Sequence, residues 1–291
     1  MRIGLHALGI GAGARRTVID AVARAAEDAG LCTLWAGEHV VMVDRPGSRY
    51  PYASDGRIPV PADADWLDPI VCLSFAAAAT RTIRLATGIM LLPEHNPLLV
   101  AKQAATLDVL CDGRLALGVG IGWSADEFAA LGVPFSGRAA RMVEYVEAMR
   151  TLWREEVASF AGRFSGFEAV RMYPKPRRAG GIPIIFGGNS DAALARVAAH
   201  GDGWYGFNLP GLDGVRDRVA TLREHCSRTG RDISELYLAV AVQDCGPHDL
   251  SELAAFGVDE LVVVAAPPAD PVAATEWVTE TAEHWMRALP Q

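Results

Sequence analysis

The sequence is poor in clustered positive charge and in long apolar runs. It carries 27 Lys and Arg against 35 Asp and Glu, and its basic residues gather in groups of two or three at most, as at Arg177 and Arg178. Because affinity for nucleic acid depends on neutralising phosphates, we expect no nucleic-acid partner. The longest nearly apolar stretch, residues 69–80, is far shorter than the roughly 20 residues of a membrane helix, so we expect no membrane association.

Cysteine and several common catalytic motifs are scarce as well. The five cysteines form no Cys-x-x-Cys pair and lie mostly in apolar runs, which predicts reduced, buried thiols in a cytoplasmic protein. The chain has no His-Glu-x-x-His motif and its seven histidines are scattered, so we expect no metal site. The lack of a Gly-x-Ser-x-Gly elbow disfavours a serine hydrolase.

Apolar, β-branched runs alternate with amphipathic helical patterns along the whole chain. They are apolar almost throughout, which is typical of parallel strands covered on both faces. Eight of them are strand candidates: residues 3–7, 33–36, 84–89, 115–120, 183–186, 203–207, 236–242 and 260–264. Eight strand–helix units without a linker predict an α/β protein, a (β/α)8 TIM barrel forming one domain over residues 1–291.

Capping patterns mark where the helices begin. An N-cap side chain followed by proline at the first helical position occurs three times, at Asp68, Asn96 and Asp270. Ser124 with Glu127 predicts a capping box, and Thr17 begins a similar Thr-x-x-Asp pattern.

Two segments are too long for ordinary barrel loops. One is the insertion after the second strand, residues 40–66, and the other is the insertion before the fifth strand, residues 155–178. The second insertion is predicted to form a hairpin followed by a loop. We expect both to be lids or contact surfaces, because long ordered loops in a compact domain commonly carry function.

An acid and an imidazole directly follow the second strand, as Glu38 and His39. In a barrel, the carboxyl ends of the strands form the rim that holds the chemistry. An imidazole there can donate or accept a proton near neutral pH, and a neighbouring carboxylate can orient it. The alternative is that Glu38 caps a local turn and His39 is an ordinary surface histidine.

A glycine pair and a serine stand between the fifth strand and the next helix. Gly187 and Gly188 let backbone N–H groups approach a ligand, and Ser190 adds a hydroxyl at a helix N-terminus, so the segment predicts a phosphate site. Asp191 argues against this site, because its carboxylate would compete for the same helix dipole. The alternative is a plain turn with Asn189 or Ser190 as the N-cap.

Residues 9–14 fit the Gly-x-Gly-x-x-Ala dinucleotide fingerprint, which leaves an NAD(P)-binding Rossmann protein as an alternative. Glu38 lies at about the right distance downstream to bind a ribose. Against this alternative, the first helix is predicted to begin after the glycines, at Thr17. A Rossmann domain would also not continue the repeat to eight units.

Seven segments of the chain form a recognisable set: residues 34–39, 84–89, 92–97, 101–108, 112–115, 118–123 and 184–188. Taken together they resemble one known family, the bacterial luciferase-like flavin and deazaflavin oxidoreductases, and within it the branch that depends on coenzyme F420. The resemblance runs from Arg2 to about Val264.

The resemblance implies a barrel with the tricyclic ring of the cofactor in its mouth, and homodimers are common in the family. It implies a non-prolyl cis peptide at Gly88–Ile89 that supports the ring, and a phosphate on the segment after the fifth strand. It assigns the catalytic pair to Glu38 and His39, although members of this branch often carry Asp where this chain has Glu38. The implied cofactor-binding residues are Gly88, Ile89, Gly120, Gly187, Gly188, Asn189 and Ser190.

The function expected from this resemblance is hydride transfer between the deazaflavin C5 and a small organic substrate, a carbonyl or alcohol or an activated C=C. His39 is then the general acid or base, and Glu38 is the neighbour that orients it or tunes its pKa. Coenzyme F420 is the expected cofactor, and an FMN-dependent monooxygenase is the alternative. A non-catalytic relative that binds the cofactor without turnover is a further alternative.

Overall fold

The computed structural model describes residues 1–289 and shows a closed barrel of eight parallel strands. Around the barrel the strand order is β1-β10-β9-β8-β7-β4-β3-β2, and β2 closes onto β1. The barrel strands are β1 Arg2–Leu8, β2 Thr33–Ala36, β3 Arg84–Thr87, β4 Leu115–Val119, β7 Ile184–Gly187, β8 Gly203–Pro210, β9 Tyr237–Gln243 and β10 Glu260–Val264. The predicted (β/α)8 TIM barrel is confirmed, and all eight strand candidates lie in it.

The Rossmann alternative is excluded by this closed sheet. Its glycine segment forms a short 3-10 turn, Gly11–Ala14, and the first α-helix begins only at Arg16. The glycines therefore do not form the first turn of a helix, which a dinucleotide fingerprint requires. The predicted start of that helix at Thr17 is also wrong, because Arg15 is the N-cap and no side chain caps the helix.

Nine α-helices lie in the described part of the chain. The three predicted N-caps are confirmed, since the carboxylates of Asp68 and Asp270 and the side-chain oxygen of Asn96 accept hydrogen bonds from backbone N–H groups of the first turn. The helices are α1 Arg16–Asp28, α2 Pro69–Ala79, α3 Pro97–Leu110, α4 Ala125–Ala130, α5 Arg138–Arg154, α6 Asp191–His200, α7 Gly211–Arg228, α8 Leu250–Phe256 and α9 Pro271–Met286.

The barrel interior is filled by side chains, and its amino-terminal end is closed by a buried carboxylate. Trp35 stacks on Tyr205 with ring centroids 4.6 Å apart, and alanines on β3, β4 and β9 make room for these large rings. Below them, Glu260 is fully buried and accepts hydrogen bonds from Thr33, Trp35 and Tyr237. Only the carboxyl ends of the strands are left to form an open mouth.

Both insertions lie where the sequence predicts them. The hairpin pairs β5 Ala158–Ala161 with β6 Gly166–Val170, between the fourth and fifth barrel strands. The β2–α2 segment, residues 37–68, crosses the mouth and is bonded to neighbouring elements along its length. Ser48 N donates to Asp126 Oδ2, Asn208 Nδ2 donates to Tyr52 O, and Leu67 N donates to Gly9 O. None of the helices within residues 1–289 is long and apolar enough to cross a membrane.

Candidate active site

His39 is held at the barrel rim by a carboxylate from another element, Glu127 of α4. His39 Nδ1 lies 2.7 Å from Glu127 Oε2, and Glu127 Oε1 accepts from the backbone N–H groups of Val40 at 2.7 Å and Val41 at 3.3 Å. Glu127 is almost fully buried, and these three hydrogen bonds replace the ones that its carboxylate would make to water. With Nδ1 occupied, the imidazole has Nε2 left for a reacting group, and no residue between 1 and 289 hydrogen-bonds it.

The same contact explains why the predicted capping box at Ser124 forms only in part. Ser124 Oγ accepts from Glu127 N and caps α4, as expected. The Glu127 carboxylate, however, turns to His39 and Val40 and does not return to the N-cap amide. A residue that the pattern assigned to helix capping is thus the partner of the rim histidine.

Glu38 does not orient His39, so that part of the sequence prediction is wrong. Glu38 Oε2 accepts from Leu91 N at 2.5 Å and from His95 Nε2 at 3.0 Å. The side chains of Glu38 and His39 therefore go to different elements, Glu38 to the loop after β3 and His39 to α4. Burial lowers the pKa of His95, but the hydrogen bond and the charge of Glu38 outweigh it, and the net shift raises that pKa. Glu38 therefore fixes the loop that follows β3.

A third acid, Glu94, lies between the two histidine–carboxylate pairs. Its side chain is 8% exposed, and within residues 1–289 neither carboxyl oxygen has a hydrogen-bond partner. Burial, and then the charges of Glu127 and Glu38, raise the pKa of Glu94 to about 9. A buried carboxyl with no donors is stable only when protonated, so Glu94 is neutral at pH 7. Glu94 is not among the residues predicted from the sequence, because no local pattern in Leu92–Glu94 marks it.

Four of the predicted cofactor residues meet at one place on the barrel mouth. The Gly88–Ile89 peptide bond is cis, as the resemblance implied. The Ile89 side chain lies against Gly120 and Gly187, and a Cβ at either glycine would overlap its Cδ1 atom. Glycine at both positions therefore leaves room for the Ile89 side chain, which forms an apolar surface at the bottom of the mouth. We call this surface the floor, and it suits the face of a planar ring.

The turn after β7 carries the other predicted cofactor residues. Gly188 has φ +104°, Asn189 Nδ2 donates to Phe207 O at 2.7 Å, and Ser190 Oγ accepts from Ala193 N as the cap of α6. Asp191, the residue that argued against an anion here, is ion-paired with Arg218 at 2.6 Å. Its charge is thus offset, which removes the main objection to an anion at this helix start.

Two neighbouring arginines, Arg138 of α5 and Arg196 of α6, were not found from the sequence. Arg138 at the start of α5 donates from Nε to Gly122 O at 3.1 Å, and Arg196 of α6 has a buried Nε with no partner within residues 1–289. Burial, and then the charge of Arg138, lower the pKa of Arg196. Neither arginine pairs with a carboxylate in the described part of the chain. Their separation by 58 positions in the sequence hides the cluster from any local pattern.

A cavity of about 370 Å³ opens beside the ends of β8, β9 and β10, under the β2–α2 segment. No charged side chain lines it, and its wall includes two tyrosines, Tyr50 and Tyr52. The lining residues are Tyr50, Tyr52, Ala53, Pro59, Phe207, Asn208, Ala241, Val242, Cys245, Leu261, Val262, Val263, Val264 and Trp285. The cavity suits a small uncharged compound.

A closed parallel barrel with an imidazole–carboxylate pair and a glycine-lined floor at its mouth is the arrangement of a barrel oxidoreductase. The family model described as luciferase-like monooxygenase matches residues 5–255. The chain belongs to the luciferase-like monooxygenase family.

Proteins similar to this chain include enzymes that use different cofactors. The protein Rv0953c of Mycobacterium tuberculosis is 35% identical over 243 residues, which cover 83% of this chain and 85% of that protein. The FMNH2-dependent dimethylsulfone monooxygenase of Pseudomonas fluorescens is 32% identical over 196 residues, 62% of this chain and 53% of that protein. The structure of the coenzyme F420-dependent tetrahydromethanopterin reductase of Methanopyrus kandleri superposes with a TM-score of 0.76 over 99% of both chains, at 16% identity.

Proposed function

We propose that the protein is a coenzyme F420-dependent oxidoreductase that moves hydride between the deazaflavin C5 and a small carbonyl, alcohol or activated C=C compound. The observation that carries the proposal is the His39–Glu127 pair on the same rim as the floor formed by Ile89 and its glycines. The fold shared with an F420-dependent reductase supports the choice of cofactor.

A bound deazaflavin would supply two-electron chemistry, because it has carbon where a flavin has N5 and transfers hydride. A substrate that gains or loses hydride must also gain or lose a proton, and His39 Nε2 is the group proposed to carry it. The Glu127 carboxylate can only accept, so it keeps the other ring nitrogen, Nδ1, as the hydrogen-bond donor and holds the ring in place. The uncharged cavity would exclude water from this exchange.

The cofactor phosphate would be held by the turn after β7 and by the nearby arginines. Gly188 and Ser190 offer backbone N–H groups and a hydroxyl at the start of α6, and Arg138 and Arg196 offer guanidinium groups without carboxylate partners. An anion here would give Arg196 Nε the partner it lacks among the described residues.

The test combines cofactor titration with a variant of the rim histidine. Coenzyme F420 should quench the fluorescence of the tryptophans around the mouth, and His39→Ala should bind it within a few-fold of the wild type. Turnover with an accepted substrate should fall by roughly 10²-fold or more. Unchanged turnover in His39→Ala would remove His39 from the mechanism.

An FMN-dependent monooxygenase is the second candidate, favoured by the similarity to the dimethylsulfone enzyme of Pseudomonas fluorescens. The same titration separates the two, because both cofactors are added to the same protein. Tight binding of FMN with no response to coenzyme F420 would overturn the deazaflavin assignment.

The proposal extends to assembly and location. We propose a homodimer, because the adjacent helices α2 and α3 expose several large apolar side chains, and α2 contains no charged residue. A cytoplasmic location is proposed as well, supported by five cysteines that form no disulfide in the described chain.

A further inference from the structure

A third histidine near the mouth, His6, is absent from the mechanism above. It lies on β1 and faces the barrel interior, where its Nδ1 is 3.1 Å from the Tyr205 hydroxyl. Its ring centroid is 6.3 Å from that of Phe207, which lines the uncharged cavity. No described residue hydrogen-bonds Nε2, the second ring nitrogen.

Two glycines bring the rim backbone close to the His6 imidazole. A Cβ at Gly37 would be 3.2 Å from His6 Nε2, and a Cβ at Gly88 would be 3.2 Å from His6 Cε1. A Cβ at 3.2 Å from the ring would be crowded at either position. Glycine at both positions therefore allows the backbone after β2 and after β3 to lie close to the His6 imidazole. His6 therefore lies next to the Gly88–Ile89 peptide and the floor it forms.

His6 differs in charge from the two rim histidines. His39 and His95 each pair with a carboxylate, whereas the neighbours of His6 are a phenol, a phenyl ring and glycine backbone. Tyr205 and Phe207 come from β8, and Gly37 and Gly88 from the chain after β2 and β3, so none of these elements presents a charge to His6. Burial lowers the pKa of His6 to about 4, so the imidazole is neutral at pH 7.

We propose that His6 is a ligand-contacting residue whose free Nε2 hydrogen-bonds the oxygen of an uncharged carbonyl or hydroxyl substrate in the cavity beside Phe207. The Tyr205 hydroxyl can donate to Nδ1 or accept from it, so Nε2 is able to donate to a carbonyl or to accept from a hydroxyl. The inference rests on the proposed function in taking this mouth as the substrate site. It adds the substrate class: neutral, oxygen-bearing and largely apolar.

Three probes of similar size test the contact: acetophenone, ethylbenzene and benzoate. Ligand-observed NMR on the wild type, saturated with whichever cofactor binds, should show acetophenone binding about five- to tenfold more tightly than ethylbenzene, the effect of one hydrogen bond. His6→Leu should abolish this difference and His6→Gln should restore part of it. Benzoate should bind at least tenfold more weakly than acetophenone, because no cation lines the cavity.

A measurement on the wild type covers the case in which His6→Leu does not fold. The ¹⁵N shift of His6 Nε2 should stay constant from pH 5 to 8 and change when acetophenone is added. An unchanged shift, an acetophenone preference that survives in folded His6→Leu, or no binding of acetophenone would each overturn the proposal. If binding depends on His6 but no hydride transfer occurs with either cofactor, the proposed function fails and the contact stands.

Discussion

At the scale of single residues, the reactivity proposed for His39 depends on a carboxylate 88 positions further along the chain. Glu127→Gln keeps the shape of the side chain but replaces the carboxylate with an amide, which can also donate and so no longer fixes Nδ1 as the donor. We expect turnover to fall by roughly 10²-fold while cofactor affinity changes only a few-fold. Glu38→Gln is the matched control, since Glu38 touches Leu91 and His95 and not His39. Equal losses of turnover in both variants would argue against the pairing.

Glu94 gives the second prediction at this scale. Its pKa is about 9 in the folded protein against an ordinary value of 4.5, so the folded state keeps a proton that the unfolded chain releases between these values. Wild-type stability therefore falls as pH rises through this window, and Glu94→Gln, which cannot ionise, avoids that loss. Urea midpoints from pH 5 to 9 should show the advantage of Glu94→Gln growing with pH. Parallel curves would show that Glu94 does not hold its proton.

At the scale of elements, residues 50–57 of the β2–α2 segment are joined to the barrel by a hydrogen bond from Asn208. Asn208 has φ +55° and donates to Tyr52 O at 2.8 Å, so Asn208→Gly accepts the same backbone conformation and removes only the hydrogen bond. We expect hydrogen exchange at residues 50–57 to rise several-fold, because one such bond contributes about 1 kcal/mol. Ser74→Ala removes a hydroxyl bond inside α2 and serves as the control. Equal exchange in both variants would mean that Asn208 does not hold the segment.

At the scale of the whole molecule, apolar surface on two neighbouring helices predicts how copies associate. Val71 and Phe75 of α2 and Leu99 of α3 are 57%, 44% and 64% exposed, and such a patch in a stable protein commonly faces a partner. Light scattering should give twice the chain mass for the wild type and the single chain mass for Leu99→Asp. Val272→Asp, on α9 and also about two-thirds exposed, should leave the dimer intact. Dissociation in both variants would point to general destabilisation.

The sequence predicts elements better than it predicts partners. The eight strands, three N-caps and both insertions follow from apolar runs, proline positions and spacing, because these are local properties of the chain. The assignment of Glu38 to His39 failed for a physical reason. Adjacency in sequence does not make two side chains partners, and here a carboxylate from α4 reaches the imidazole while Glu38 bonds His95.

By itself, the sequence determined the closed barrel, the position of His39 on its rim and the glycines that the floor requires. Only the tertiary structure decided which acid faces which imidazole. Glu127 meets His39, Glu38 meets His95, Glu94 is left without a partner in the described chain, and the cavity carries no charge. The reason is that the burial of a strand can be predicted from its own apolar residues. Hydrogen-bond partners and pKa shifts depend on groups that closure of the barrel brings together from distant positions.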